Sequence, residues 1–227
     1  MSPPTSSAVL LGVLLSLVVV VVLYGVAVAI LAQQRAVKYR ELRRLLTASL
    51  QVLNQAGIPY VLSWGTLLGA VREGRIIPTD DDADILLFGE DALQRAVRAV
   101  RDAGIPNATI FPGVDKYILH STHYTHPHVD FYVADLDRAT RTWTQRDVTH
   151  PLLRRASALP ENAVLTRERR TIHNQRAFVP QNPHAVLRRI YGASYMTPQR
   201  AKAPHDERNH EWSAPIYLAL RKLGLHM

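Results

Sequence analysis

Four aspartates, Asp80, Asp81, Asp82 and Asp84, fall within five residues of the stretch "IIPTDDDADILLF" and run directly into an apolar segment. In a strand, alternate side chains share a face, so Asp82 and Asp84 project together while Ala83 and Ile85 turn to the other side. Two carboxylates held that closely repel strongly in a low-dielectric setting unless a cation sits between them. The chemistry that suits such a pair is a hard divalent ion with oxygen ligands, Mg²⁺ or Mn²⁺. Asp80 and Asp81 belong to the preceding loop and read as supporting residues that tune or orient. The plain alternative is a solvated acidic loop capping a strand. A calcium loop fails because the position that needs Gly is Ile85 and the closing Glu position is Asp91.

A third carboxylate lies further on. In "HPHVDFYVADL", Asp130 is flanked by Val129 and Phe131 within an apolar strand pattern, where an unpaired charge is costly to bury. The metal implied by Asp82 and Asp84 would partner it, and a salt bridge to an arginine is the alternative. His120, His123, His126 and His128 crowd ahead of Asp130. Histidine-rich loops are polar loops by default, so ligand and acid/base roles for these four stay open, as they do for His173 and His205.

The elements that must position these residues follow from periodicity. Val37, Leu42, Leu45, Leu46, Leu50 and Leu53 recur at helical spacing, with Gly57 and Pro59 as a stop. "YVLSW" reads as a short buried strand broken at Gly65, and "TLLGAVREG" as a helix beginning at Thr66. A strand, a glycine turn and a helix amino terminus in that order suit an anion site. "DADILLF" continues as a strand, and "EDALQRAVRAVRDAG" is an amphipathic helix with acidic residues in its first turn. "ATIF", "KYILHS" and "HVDFYVADL" read as further strands, residues 140–170 as basic and irregular, and "PHAVLRRIYG" as a helix opened by Pro183 and closed by Gly192. This order predicts an α/β (α+β) domain, a mixed sheet flanked by helices.

Residues 8–32, "AVLLGVLLSLVVVVVLYGVAVAILA", carry no charge and are long enough to span a hydrocarbon core of about 30 Å as one transmembrane helix. The run is longer than an ordinary signal-peptide core and no basic residue precedes it, which favours an anchor over a cleaved signal. Two topological signals disagree. Arg35, Lys38, Arg40, Arg43 and Arg44 follow the anchor and point to a cytoplasmic domain. Asn107, in "NAT", is a glycosylation acceptor of the secretory lumen. The formal charge is +8, from 27 basic against 19 acidic side chains, which fits phosphates or anionic lipid. Basic and aromatic interleaving is lacking, so no nucleic-acid partner is expected. With no cysteine, disulfides and thiolate metal sites are excluded.

"YVLSWGTLLGAVREGRIIPTDDDADI" resembles the signature of the LicD family, which includes bacterial phosphocholine transferases and the eukaryotic fukutin and fukutin-related proteins. "VPQNPHAVLRRIYGASYMTP" is similar to that family's distal segment, so the likeness spans most of residues 40–205. The resemblance implies a nucleotidyltransferase-like fold. It makes Asp82 and Asp84 the metal pair and Asp130 the third carboxylate, a ligand of a second ion or the base for the acceptor hydroxyl. It makes Gly65 and Thr66 the phosphate-cradling turn, with Arg72 and, on a looser alignment, Lys116 offsetting phosphate charge. Thr79 stands where the family has Trp, and the cysteines of the fukutin-related zinc site have no counterpart, so no zinc is expected.

The organisation expected is a tail at 1–7, the anchor at 8–32, a basic amphipathic helix at 33–56, the catalytic domain at 57–205 and a tail at 206–227. The reaction the resemblance implies is transfer of an alcohol phosphate, such as phosphocholine or ribitol phosphate, from a CDP-activated donor to a glycan or glycolipid hydroxyl. It would take place beside a lipid bilayer in the Golgi or endoplasmic reticulum, with a lumenal catalytic domain and Mg²⁺ or Mn²⁺ as cofactor. Nucleotidyl transfer and an inactive membrane-tethered binding protein are the alternatives.

Overall fold

The computed structural model describes residues 6–105, 108–111, 116–120 and 127–198. The tail residues 1–5 and 206–227, Asn107, His123, His126 and His205 lie outside the described residues. The chain divides into two units, Met1–Arg40 and Glu41–Met227.

The first helix, α1, runs without interruption over Ser6–Gln55, carrying the apolar stretch and the basic amphipathic stretch on one element. Gly12 and Gly25 do not break it, because a lone glycine weakens a helix by only about 1 kcal/mol. In the first unit the large apolar side chains from Leu10 to Leu31 face outward. Among the described residues this is the one helix long and apolar enough to cross a membrane.

In the second unit, Leu42, Leu45, Leu46, Leu50 and Leu53 form a stripe buried to within 1% of full enclosure. The stripe at spacing three and four is what a helix needs to bury one face against a domain. Gly57, at φ 62, takes the chain off the helix.

A seven-stranded mixed sheet follows. Strand β1 (Tyr60–Leu62) pairs antiparallel with β2 (Asp82–Phe88), which pairs parallel with β5 (His128–Asp137). The other edge of β5 takes β4 (Lys116–His120) along its first half, and β4 takes β3 (Ala108–Phe111). Strand β6 (Thr142–Gln145) pairs with the last part of β5 and with the short β7 (Leu159–Pro160). Ala83, Ile85, Leu87, Val129, Phe131 and Val133 are all fully buried, so every odd-numbered residue of the parallel pair from 83 to 87 and 129 to 133 serves the core.

Helix α2 (Trp64–Arg72) joins β1 to β2, and α3 (Glu90–Asp102) follows β2, burying Ala92, Leu93, Ala96, Val97 and Val100. The sequence predicts α2 from Thr66, but it begins two residues earlier, and the strand before it stops at Leu62. The segment 140–170 is not irregular: it holds β6, α4 (Pro151–Ser157), β7 and α5 (Glu161–Leu165). These elements are too short to show a period.

A hairpin of β8 (Glu168–Ile172) and β9 (Gln175–Val179) turns at His173 and Asn174, both at positive φ (48 and 63). That is the backbone of a tight primed turn, matched to the twist of two antiparallel strands. Helix α6 (Pro183–Tyr191) is capped by the Asn182 side chain, which accepts from the Ala185 N–H, and ends at Gly192.

Candidate metal and phosphate site

The parallel register of β2 and β5 sets Asp82 opposite His128 and Asp84 opposite Asp130. Strand alternation places all four on the face opposite the buried Ala83, Ile85, Val129 and Phe131. Asp130 is 1% exposed and Asp84 6%, whereas Asp82 and His128 are half-buried. Asp82, His128 and Asp130 each offer one ligand atom, and the three atoms lie within 4.8 Å of one another. Two carboxylates and an imidazole at that spacing fit a divalent cation, and their burial makes the uncompensated charge expensive. The structure therefore brings together Asp82 and Asp130 with His128, a residue left open among the loop histidines. Asp84 stands one pleat along.

The neighbourhood of Asp130 is built by Tyr132, on the same face of β5. Its phenol donates to Asp130 Oδ2 at 2.9 Å, and His128 Nε2 lies 3.7 Å from Asp130 Oδ1. Burial, reinforced by the negative charges of Asp84, Asp130 and Asp147, pushes the phenol well above its ordinary pKa. Tyr132 thus stays a proton donor to Asp130.

Helix α2 fixes β2 from the amino-terminal side. The Thr66 hydroxyl, 1% exposed, accepts from the Asp84 N–H at 2.8 Å, and the Ser63 N–H donates to the Asp84 carbonyl at 3.2 Å. The Asp84 peptide is held on both its polar groups, so Thr66 braces the acidic strand. Trp64, the first helical residue, sits at φ 44, a conformation that costs a bulky residue on the order of 1–3 kcal/mol. Its buried indole Nε1–H donates to Gln145 Oε1 at 2.8 Å, and Gln145 Nε2 donates to Asp147 Oδ1 at 2.8 Å.

The glycines of "GTLLGAVR" serve close approach. Gly65 and Gly69 share one face of α2, being four apart. A Cβ on Gly65 would lie 2.9 Å from Asp80 Oδ2, and one on Gly69 would lie 2.4 Å from the Arg75 carbonyl oxygen and 3.2 Å from the Ile77 nitrogen. The segment between Arg75 and Asp80 is therefore laid directly against the helix. Asp80 N–H turns back to the Ile77 carbonyl, and the Asp81 carbonyl accepts from the His128 N–H at 3.3 Å.

Arg72 keeps only 4% of its side chain exposed and pairs with Glu73 at 3.4 Å, while Glu73 also takes Arg75 at 2.7 Å. Lys116 is placed by register opposite Tyr132, and His120 opposite His128.

His173 turns out to fasten the acidic loop. Its Nε2 accepts from the Ile76 N–H at 3.1 Å, and the His173 backbone N–H donates to the Gly74 carbonyl at 2.9 Å. Burial, with the positive charges of Arg43 and Arg75, lowers its pKa, as befits an imidazole that must stay neutral to accept.

Residues 57–182 match the family model described as the LicD/FKTN/FKRP nucleotidyltransferase domain. That match covers more than half of the 227 residues and runs from the end of α1 to the cap of α6. The chain belongs to the LicD/FKTN/FKRP family. Human ribitol-5-phosphate transferase FKTN is 39% identical over 72 residues, which are 31% of this chain and 16% of that protein. Human ribitol 5-phosphate transferase FKRP is 46% identical over 52 residues, 23% of this chain and 10% of that protein. The chain thus spans less than a fifth of the length of either. A crystal structure of ANT(2″)-Ia in complex with adenylyl-2″-tobramycin covers 80% of this chain and 91% of its own, at 16% identity and a TM-score of 0.39.

Within this LicD-family domain, Gln145, Asp147 and Tyr132 were not singled out by sequence reasoning. Alternation on β5 does carry a signal for His128 and Tyr132, each two residues from Asp130. Gln145 and Asp147 carry none, because their approach depends on how β6 pairs.

Proposed function

We propose that this LicD-family chain is a divalent-metal-dependent transferase that moves an alcohol phosphate, ribitol phosphate or phosphocholine, from a CDP-linked donor to a glycan or glycolipid hydroxyl. The observation that carries the reading is the convergence of Asp82, His128 and Asp130 on neighbouring parallel strands within the matched domain. The transferase names of the FKTN and FKRP relatives support the reaction class.

Asp82, His128 and Asp130 would hold the metal, with Asp84 beside them contributing charge. A bound Mg²⁺ or Mn²⁺ supplies charge neutralisation on the donor's diphosphate and orients it for in-line displacement. The first turn of α2 presents backbone N–H groups that lack intrahelical partners, a natural cradle for phosphate oxygens. Gly65 and Thr66 serve there through the backbone, since the Thr66 hydroxyl already accepts from Asp84. Arg72, enclosed at the other end of α2, and Lys116, on β4, are the cations assigned to offset phosphate charge, the first directionally and the second as a point charge. Asp80 and Asp81 shape the loop that delivers Asp82.

Residues 8–32 are proposed as the bilayer anchor, 33–56 as a juxtamembrane helix and 57–205 as the catalytic domain. A lumenal, Golgi or endoplasmic-reticulum placement is supported by the acceptor at Asn107 and opposed by the basic residues after the anchor. Protease protection in sealed microsomes decides between the faces.

The test is to incubate the full chain in detergent with Mn²⁺, CDP-ribitol or CDP-choline and glycan acceptors, following CMP release and product mass. Free CMP with an alcohol phosphate on the acceptor is expected. The description of the family domain as a nucleotidyltransferase favours one second reading, in which the nucleotidyl group itself appears on the acceptor. No donor consumption with any CDP-alcohol rejects both.

A further inference from the structure

The metal cluster commits Asp82, His128 and Asp130, and Tyr132 further ties Asp130 down, so the acceptor hydroxyl needs a separate proton acceptor. We propose that Asp147 is that residue: a catalytic base on the same face of the sheet, beside the metal cluster and outside it. This rests on the transferase reading above.

The placement follows from pairing. Gln145 lies opposite Ala134, and the Arg146 N–H donates to the Val133 carbonyl at 2.8 Å, carrying the β5–β6 ladder one step past the last paired residue. Residues opposite one another across an antiparallel pair share a face, so the Gln145 side chain lies on the face of Ala134 and Tyr132 and reaches from there to Asp147, in the turn that follows β6. That face is the one bearing Asp130 and Asp84. The negative charge of Asp147 is felt at the Tyr132 phenol, which agrees with this placement.

The carboxylate is also held on purpose. Gln145 is 5% exposed and donates through Nε2 to Asp147 Oδ1. An amide could be turned either way, but the Trp64 indole can only donate, so it fixes Oε1 toward itself and Nε2 toward Asp147. The donor of that contact sits in a left-handed backbone conformation at the helix end assigned to the donor phosphates. Strain kept at such a point marks a geometry that the surroundings enforce. Asp147 itself is half-buried, at the margin of the site where an acceptor can arrive and a proton can leave to solvent.

In the step proposed, the acceptor oxygen forms a bond to the phosphorus bearing the alcohol. The bond from that phosphorus to the bridging oxygen breaks, its electron pair leaving with the nucleoside monophosphate. The acceptor's proton passes to the Asp147 carboxylate, which later releases it to water.

The experiment compares wild type with Asp147→Asn, Asp147→Glu and Gln145→Leu in the full chain, reading both transfer and Mn²⁺ affinity by direct titration. Expected for Asp147→Asn is a loss of roughly 10²–10⁴-fold in kcat with metal affinity unchanged and the acidic limb of the pH–rate profile abolished. Asp147→Glu should restore part of the rate. Gln145→Leu should lower kcat by roughly 10–100-fold while retaining the acidic limb. A wild-type kcat in Asp147→Asn, or weakened Mn²⁺ binding there, overturns the proposal and leaves the transferase reading standing. A wild-type chain that titrates Mn²⁺ but consumes no donor sinks the transferase reading, and this one with it.

Discussion

The carbonyl oxygen of Arg75 lies 2.4 Å from where a Cβ on Gly69 would stand. The two residues belong to α2 and to the loop that returns from it, and only a bare α-carbon lets backbone meet backbone at that distance. Gly69→Ala should therefore displace the Arg75–Asp80 segment, costing about 1–3 kcal/mol as overpacking does. Thermal unfolding of the full chain in detergent reads the loss, and Mn²⁺ titration should show weaker binding because the segment delivers Asp82. Gly65→Ala should be milder, since its Cβ meets the end of the Asp80 side chain, which can rotate.

Without a cation, Asp82 and Asp130 repel. Asp82→Asn is expected to raise the melting temperature of the metal-free protein while abolishing the increment that Mn²⁺ gives wild type by binding the folded state. An unchanged Mn²⁺ increment in this variant and in His128→Ala would remove the cluster of Asp82, His128 and Asp130 from consideration as the metal site.

Tyr132→Phe deletes the hydroxyl that donates to Asp130 Oδ2 and little else. A carboxylate that loses its orienting donor binds metal less well, so affinity for Mn²⁺ should fall by roughly 10–100-fold while the fold persists. Far-ultraviolet circular dichroism beside the titration separates this from unfolding.

His173 titrates below its unfolded value of 6.5 because burial disfavours the charged ring. The unfolded chain then binds the proton more readily than the native one between the two pKa values, so stability rises with pH across that window. The contribution is complete above the unfolded value and is lost as pH falls through it toward the lower folded value. Melting temperatures measured from about pH 5 to pH 7.5 should show this slope, and His173→Gln, which can accept from the Ile76 N–H without titrating, should flatten it. Equal slopes in the two proteins would assign the acid sensitivity elsewhere.

Much of this site could be read from the chain. Alternation through Asp82 to Phe88 located β2 and its acidic face, and the apolar stripe from Leu42 to Leu53 located the helix behind it. Asp130 was found because a charge inside "HVDFYV" needs a partner. His128 escaped for want of register: its meeting with Asp82 is a fact of parallel pairing between segments far apart in sequence. Trp64 escapes for a different reason, since nothing about a tryptophan announces positive φ, and propensity favours a helix start at Thr66. Gln145 ends a four-residue strand and Asp147 lies just beyond it, and a strand that short is shorter than any period can reveal.

The parallel register of β2 and β5 has a last consequence, in the fidelity of assembly. Slipping one strand past the other by a single residue would turn Asp84 or Asp130 into the core and carry Ile85 or Phe131 out of it. Each misalignment is penalised twice, by a charge stranded in oil and by an aromatic or aliphatic group left in water. The acidic residues that make the site chemically capable thus also act as proofreaders of strand alignment, rejecting near-miss pairings before any ion or substrate arrives.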